Sequence, residues 1–264
     1  MIGEPIFEVD GLTKLYGARV GCRDVSFELR AGEVLAVVGE SGSGKSTLLA
    51  CASGELEPSE GAVRYLWGGV RGGAPYFRDV WRDLSEPERR LLRRSDWSFV
   101  HQDPREGLRM GVSAGGNIGE RLMATGGRHY GRIRSAASDW LTRVEIETDR
   151  IDDRPIAFSG GMRQRLQIAR ALSTEPRIVF MDEPTGGLDV SVQARLLDLI
   201  RRLVAEHQLT VVIVTHDLAV ARLLAHRMIV MRGGSVVESG LTDQILDDPQ
   251  HAYSQLLVSS ILQA

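Results

Sequence analysis

The chain has 264 residues with 32 basic and 35 acidic side chains, a formal charge of −3, so there is no global electrostatic pull toward nucleic acid or an anionic membrane. Hydrophobic residues at 43% and charged residues at 25% exclude a disordered or fibrous chain, and the length allows one large domain or two small ones. Two cysteines, Cys22 and Cys51, are too few and too isolated for a metal site or a disulfide framework; they are expected as small buried residues in a reducing, cytoplasmic setting. Met1 to Gly11 is acidic and lacks a basic-then-apolar signal pattern. The longest apolar stretch, Leu209 to Val214, is far too short to span a bilayer, so any membrane role is expected through a partner.

From Phe7 to Leu29 short apolar runs alternate with turn residues ("FEVDGLTKLYG", "VSFELRAGE"), which predicts antiparallel strands. Val34 to Val38 is continuously apolar, the mark of a strand buried on both faces. A helix is expected from Lys45 to about Ser53, then a turn at Glu57 to Gly61 and a strand near Val63. The glycine-rich Trp67 to Asp79 ("WGGVRGGAPYFRD") reads as an irregular surface loop. "SEPERRLLRRS" opens with a serine cap and an early proline, giving a short basic helix whose charge serves either solvent or an acidic partner.

Helical spacing dominates from about Gly119 to Val144. Beyond it helix and strand alternate: helix from Gly161 to Ser173, strand from Ile178 to Met181, helix from Val190 to His207, strand from Thr210 to Val214, helix from Val220 to Ala225. A hairpin on the glycines of "MRGGSVVESG" follows. Such alternation predicts an α/β fold with a parallel sheet covered on both sides.

Gly39-Glu40-Ser41-Gly42-Ser43-Gly44-Lys45-Ser46, followed by Thr47, fits the G-x-x-x-x-G-K-[ST] pattern between a strand and a helix. Glycines let backbone N–H groups approach phosphates, Lys45 reaches the outer two, and Ser46 offers a hydroxyl to magnesium. "RIVFMDEP" places Asp182 and Glu183 at the end of an apolar strand, Asp182 as a magnesium ligand and Glu183 as the base for the attacking water. Ser159-Gly160-Gly161 precedes a helix whose N-terminus either is simply capped by the serine or clamps an anion. Gln102 follows an apolar strand, and His216 ends "VVIVT", where open parallel sheets place ligand contacts. Tyr16 is available to stack on adenine.

Taken in order, Tyr16, "GESGSGKST", "HQDP", "FSGGMRQR", "VFMDEPTGGLD" and "VTHD" resemble the ATP-binding-cassette (ABC) ATPases over nearly the whole chain. The resemblance implies a single ABC domain over 1–264. It would have a parallel core sheet around the phosphate loop, an antiparallel β subdomain, an α-helical signature subdomain over about 103–165 and a tail over about 240–264. It implies ATP and Mg2+ as ligands, Gln102 as the lid glutamine sensing magnesium and water, and His216 as the switch at the γ-phosphate. Ser159 to Gly161 would act on ATP of the opposite subunit in an ATP-dependent homodimer. Gly186 to Asp189 matches the loop linking the two sites. Phe158 and Met162 stand where leucine and glutamine are common.

The text of 103–141 and "DEPTGGLDVSVQARLLDL" resembles the PhnK-type cassettes of the carbon-phosphorus lyase system, whose implied partners are lyase core subunits and a PhnL-type ATPase, with neither nucleic acid nor direct membrane insertion. "FSGGMRQR" and the tail "DDPQHAYSQLLVSS" resemble cassettes of peptide and nickel importers, which gives the alternative reading, the ATPase subunit of a peptide, nickel or phosphonate importer.

Overall fold

The computed structural model describes residues 2–71 and 74–261. The chain divides into two compact units, one formed by Met1–Arg90 with Leu209–Ala264 and the other by Leu91–Gln208.

In the first unit, strands β1 (Pro5–Tyr16), β2 (Arg19–Arg30), β4 (Glu60–Arg71) and β5 (Ala74–Asp79) form an antiparallel sheet in the order β2-β1-β4-β5. Phe7 faces Leu29 and Val9 faces Phe27 across the β1–β2 pair, so the apolar alternation of both strands lands on one buried face. Strand β3 (Val34–Val38) is wholly buried and lies parallel to β8 (Thr210–Thr215) and β9 (Arg227–Arg232). Burial on both faces explains its unbroken Val/Leu/Ala run. β10 (Ser235–Leu241) returns antiparallel to β9, the hairpin expected from the glycines. Helices α1 (Lys45–Ala52), α8 (Leu218–Leu224), α9 (Thr242–Asp247) and α10 (Ala252–Ile261) complete this unit. No helix among the described residues is long and apolar enough to cross a membrane.

Two expectations change here. Within Trp67–Asp79, expected as an irregular loop, residues 67–71 end strand β4 and residues 74–79 form strand β5, which pair with Tyr65 opposite Arg78, Leu66 opposite Phe77 and Val70 opposite Pro75; positions 72 and 73 lie outside the described residues. The register shifts between Leu66 and Val70, where Gly68 and Gly69 stand, and Pro75 lies on an edge strand where a missing N–H is tolerated. Cys22 on β2 and Cys51 on α1 are both fully buried and free, as expected, but they are not isolated, because their thiols interact with each other.

α2 (Glu86–Ser95) spans the sequence boundary between the units, and Ser85 pairs with Glu88 at its start through both backbone and hydroxyl. The second unit holds the parallel pair β6 (Trp97–Val100) and β7 (Ile178–Asp182), with the Trp97 and Phe180 rings edge-on at 5.4 Å. Around them stand α3 (Pro104–Gly107), α4 (Ala114–Ala124), α5 (Tyr130–Arg143), α6 (Gly160–Leu172) and α7 (Val190–His207). Leu196, Leu199, Ile200 and Leu203 form the buried stripe of α7, at the i, i+3, i+4, i+7 spacing of an amphipathic helix.

Candidate nucleotide site

The candidate residues fall in both units. In the first, β3 delivers the chain into the loop of Gly39 to Ser46, and α1 begins at Lys45 with Gly44 as its left-handed cap, φ 101°. A side chain is impossible at two loop positions: a Cβ on Gly39 would lie 2.3 Å from Met231 O, and one on Gly44 would lie 2.1 Å from Gly21 O. This close backbone packing leaves the loop amides as its working surface, the arrangement that cradles phosphate at a helix N-terminus. Lys45 is buried, and its ammonium donates to Gly39 O and Glu40 O, both at 2.8 Å. Ser43 Oγ is buried without a hydrogen-bond partner among the described residues. Ser41, Gly42 and Ser46 are exposed, and Thr47 is half-buried.

Tyr16 flanks this loop. A Cβ on Gly21 would come 2.7 Å from Thr47 Cγ2 and 2.9 Å from Tyr16 Cε2, so the ring and the loop threonine line the same bare backbone position. The Tyr16 ring is 48% exposed, with Lys14 Nζ 5.7 Å from its centroid, so an aromatic face remains accessible for stacking. His216 is exposed just past the end of β8, and Asp217 beside it caps α8 by accepting from Ala219 N–H at 2.8 Å.

In the second unit, Asp182 closes β7 and Glu183 follows with φ 40°, a left-handed conformation rare for glutamate. The Gln102 side-chain amide donates to the Glu183 carboxylate at 3.2 Å, so two candidates 81 positions apart are brought together. Gln102 is aimed by its neighbour: His101 N–H donates to Gln167 Oε1 at 2.8 Å, and His101 O accepts from Gln167 Nε2 at 3.0 Å and Gln164 Nε2 at 3.3 Å. Both glutamines are buried on α6, so the helix that begins with the signature also fixes the backbone entering Gln102. Sequence reading missed them, because a glutamine on a helix carries no local sign of a distant backbone partner. Burial pulls the His101 imidazole below its ordinary value, partly offset by the carboxylates of Glu106 and Asp182.

Ser159 caps α6, accepting from Met162 N–H at 3.3 Å, while Ser159 and Gly160 stay exposed. Gly161 is buried, and a Cβ there would be 2.5 Å from Val192 Cγ1 on α7. Asp189 caps α7; the N–H of Val192 and the hydroxyl of Ser191 donate to it and hold its carboxyl below the usual range. Arg150 contacts both unusual residues of the signature. Its guanidinium lies 4.6 Å from the ring centroid of buried Phe158, and its Nη1 contacts Met162 Sδ at 3.5 Å.

Among the described residues no cluster of three or more His, Cys, Asp or Glu is arranged to hold a metal ion. Magnesium is commonly bound through one or two carboxylates and the phosphates of its substrate. Ser46 in the first unit carries a hydroxyl, and Asp182 and Gln102 in the second carry a carboxylate and an amide oxygen, all oxygen donors of the hard type that magnesium takes.

A family model described as ABC transporter matches residues 22–186. A protein of Escherichia coli (strain K12) described as a phosphonates utilization ATP-binding protein, PhnK, is 61% identical over 99% of this chain and 100% of its own length. The oligopeptide transport ATP-binding protein AmiE of Streptococcus pneumoniae (serotype 4, strain ATCC BAA-334 / TIGR4) is 37% identical over 91% of this chain, which spans 67% of that longer protein. A dimeric ATP-binding cassette solved in a post-hydrolysis state with ADP and Pi matches with a TM-score of 0.76 at 30% identity, over 90% of this chain and 99% of that one.

Proposed function

Because the chain belongs to the ABC transporter ATPase family, we propose that it is the ATP-hydrolysing subunit of a carbon-phosphorus lyase system for phosphonate breakdown, docking on the soluble lyase core as an ATP-driven clamp. The observation that carries this reading is the 61% identity to the phosphonates utilization protein, sustained over 99% of this chain and 100% of that protein. The oligopeptide transport relative is matched more weakly and over only 67% of its length.

In this reading the loop amides of Gly39 to Thr47 and the Lys45 ammonium hold the phosphates of ATP, and Tyr16 stacks on adenine. Magnesium, when bound, neutralises phosphate charge; the first unit offers Ser46 to it, and the second offers Asp182 and Gln102. Glu183 takes a proton from the attacking water, with the Gln102 amide orienting its carboxylate. His216 contacts the γ-phosphate. Ser159, Gly160 and Gly161 bind the phosphates of the ATP held by a second copy, and Asp189 sits in the segment linking the two sites. A dimeric cassette among the structural relatives supports the homodimer. Closure on two ATP molecules favours one shape of the lyase core, a PhnL-type ATPase joins the assembly, and hydrolysis resets it. The coupling requires only that the two dimer states contact the core differently.

The experiment is recovery of partners from detergent-treated native extract with Glu183→Gln protein, ATP and magnesium. Soluble lyase subunits on the resin support the clamp. An integral-membrane permease in their place makes the chain an importer motor and overturns it.

A further inference from the structure

One peptide unit of the phosphate loop is held from both sides. The carbonyl of the Gly39–Glu40 peptide accepts from Lys45 Nζ at 2.8 Å, and its N–H, on Glu40, donates to the Tyr253 hydroxyl at 3.1 Å. In a trans peptide the C=O and N–H point in opposite directions. Lysine and phenol therefore oppose each other across a single plane, and rotating that plane breaks both bonds. Tyr253 lies on α10, 213 positions beyond Glu40, in the tail segment whose text has no place in the nucleotide chemistry above.

The phenol is itself firmly placed. Tyr253 is 5% exposed, with the Arg232 guanidinium 4.9 Å from its ring centroid. Its N–H donates to His251 Nδ1 at 3.1 Å, and the N–H groups of Gln250 and His251 donate to the Glu238 carboxylate at 2.8 and 3.1 Å. Arg232 belongs to β9 and Glu238 to β10, so the hairpin anchors the start of α10. The same hairpin touches the loop directly, Gly234 N–H donating to Ser43 O at 2.9 Å.

The geometry points to Tyr253 as a positioning residue for ATP binding: its hydroxyl fixes the Gly39–Glu40 peptide, and through that peptide the Lys45 ammonium, so the tail sets the affinity of the loop for phosphate. The ring and the hydroxyl have separable tasks, since a phenylalanine still fills the space beside Arg232. The inference rests on ATP binding at this loop and is independent of the phosphonate reading.

Tyr253→Phe removes one oxygen and keeps the ring. Parent and variant, as full chains, are titrated with a fluorescent ATP analogue, assayed for hydrolysis over a range of ATP concentrations, and melted. The expected result is an affinity about three- to tenfold weaker, the size of one net hydrogen bond. KM for ATP should rise more than kcat falls, and amide exchange should quicken across residues 39–45, with the melting temperature held. Affinity equal to the parent's overturns the inference. A loss of affinity seen only with a matching fall in melting temperature also overturns it, because Tyr253 is then a packing contact alone.

Discussion

Gln102 Nε2 and Glu183 Oε2 stand 3.2 Å apart, so the side chain after β6 and the one after β7 form a hydrogen-bonded pair. Glutamate in a left-handed backbone carries a strain of order 1–3 kcal/mol, and strain of this kind collects at working sites. Glu183→Gln keeps the size of the side chain and removes its basicity. Hydrolysis should fall by at least about 100-fold while ATP affinity stays near the parent's. Single-turnover kinetics beside an ATP titration check both halves, and parental turnover would remove Glu183 from the role of base.

Lys45 donates two short charge-assisted hydrogen bonds from a buried position in the loop. Lys45→Ala takes away the one cation among the loop residues 39–47 and should weaken ATP binding at least about tenfold. Calorimetric titration reads this directly, and unchanged affinity contradicts the assignment.

Gly161 has no room for a methyl group, because Val192 Cγ1 would lie 2.5 Å from it. Gly161→Ala should cost about 1–3 kcal/mol through overpacking. Combining it with Val192→Ala opens the space and should recover most of the lost melting temperature. A double variant no more stable than the single one would place the strain elsewhere.

His101 gives a pH dependence of known sign. Its imidazole is held below its ordinary value by burial, so the unfolded chain binds the proton more readily than the folded one. The stability contribution is fully present above the ordinary imidazole pKa of about 6.5 and is lost as pH falls toward the depressed native value. The parent should therefore lose melting temperature between about pH 7 and pH 5 more steeply than His101→Gln. Parallel slopes in the two proteins would show that His101 titrates alike in both states.

The phosphate loop and the pair Asp182–Glu183 were legible because strand, turn and chemistry lie within a dozen consecutive positions. The pairing of β4 with β5 was not, since glycine and proline signal a break locally while the backbone of β1 offers a ladder from elsewhere. Gln164, Gln167, Val192 and Tyr253 were also invisible. Each acts through a contact with a backbone far away in sequence, and none has a residue type that demands one. The nearness of Cys22 and Cys51 needed the placement of α1 against β2, which no spacing of two residues supplies.

The obstructions at Gly39 and Gly44 differ in kind from that at Gly161. Val192 is a side chain and can be exchanged, so an alanine at Gly161 has a suppressor within reach of a single further substitution. The atoms facing Gly39 and Gly44 are the main-chain oxygens of Met231 and Gly21, which every amino acid carries. No replacement at either neighbour withdraws them. A screen for intragenic revertants should thus return compensated alleles for Gly161→Ala and only true reversions for Gly39→Ala and Gly44→Ala, which makes these two loop glycines mutational dead ends.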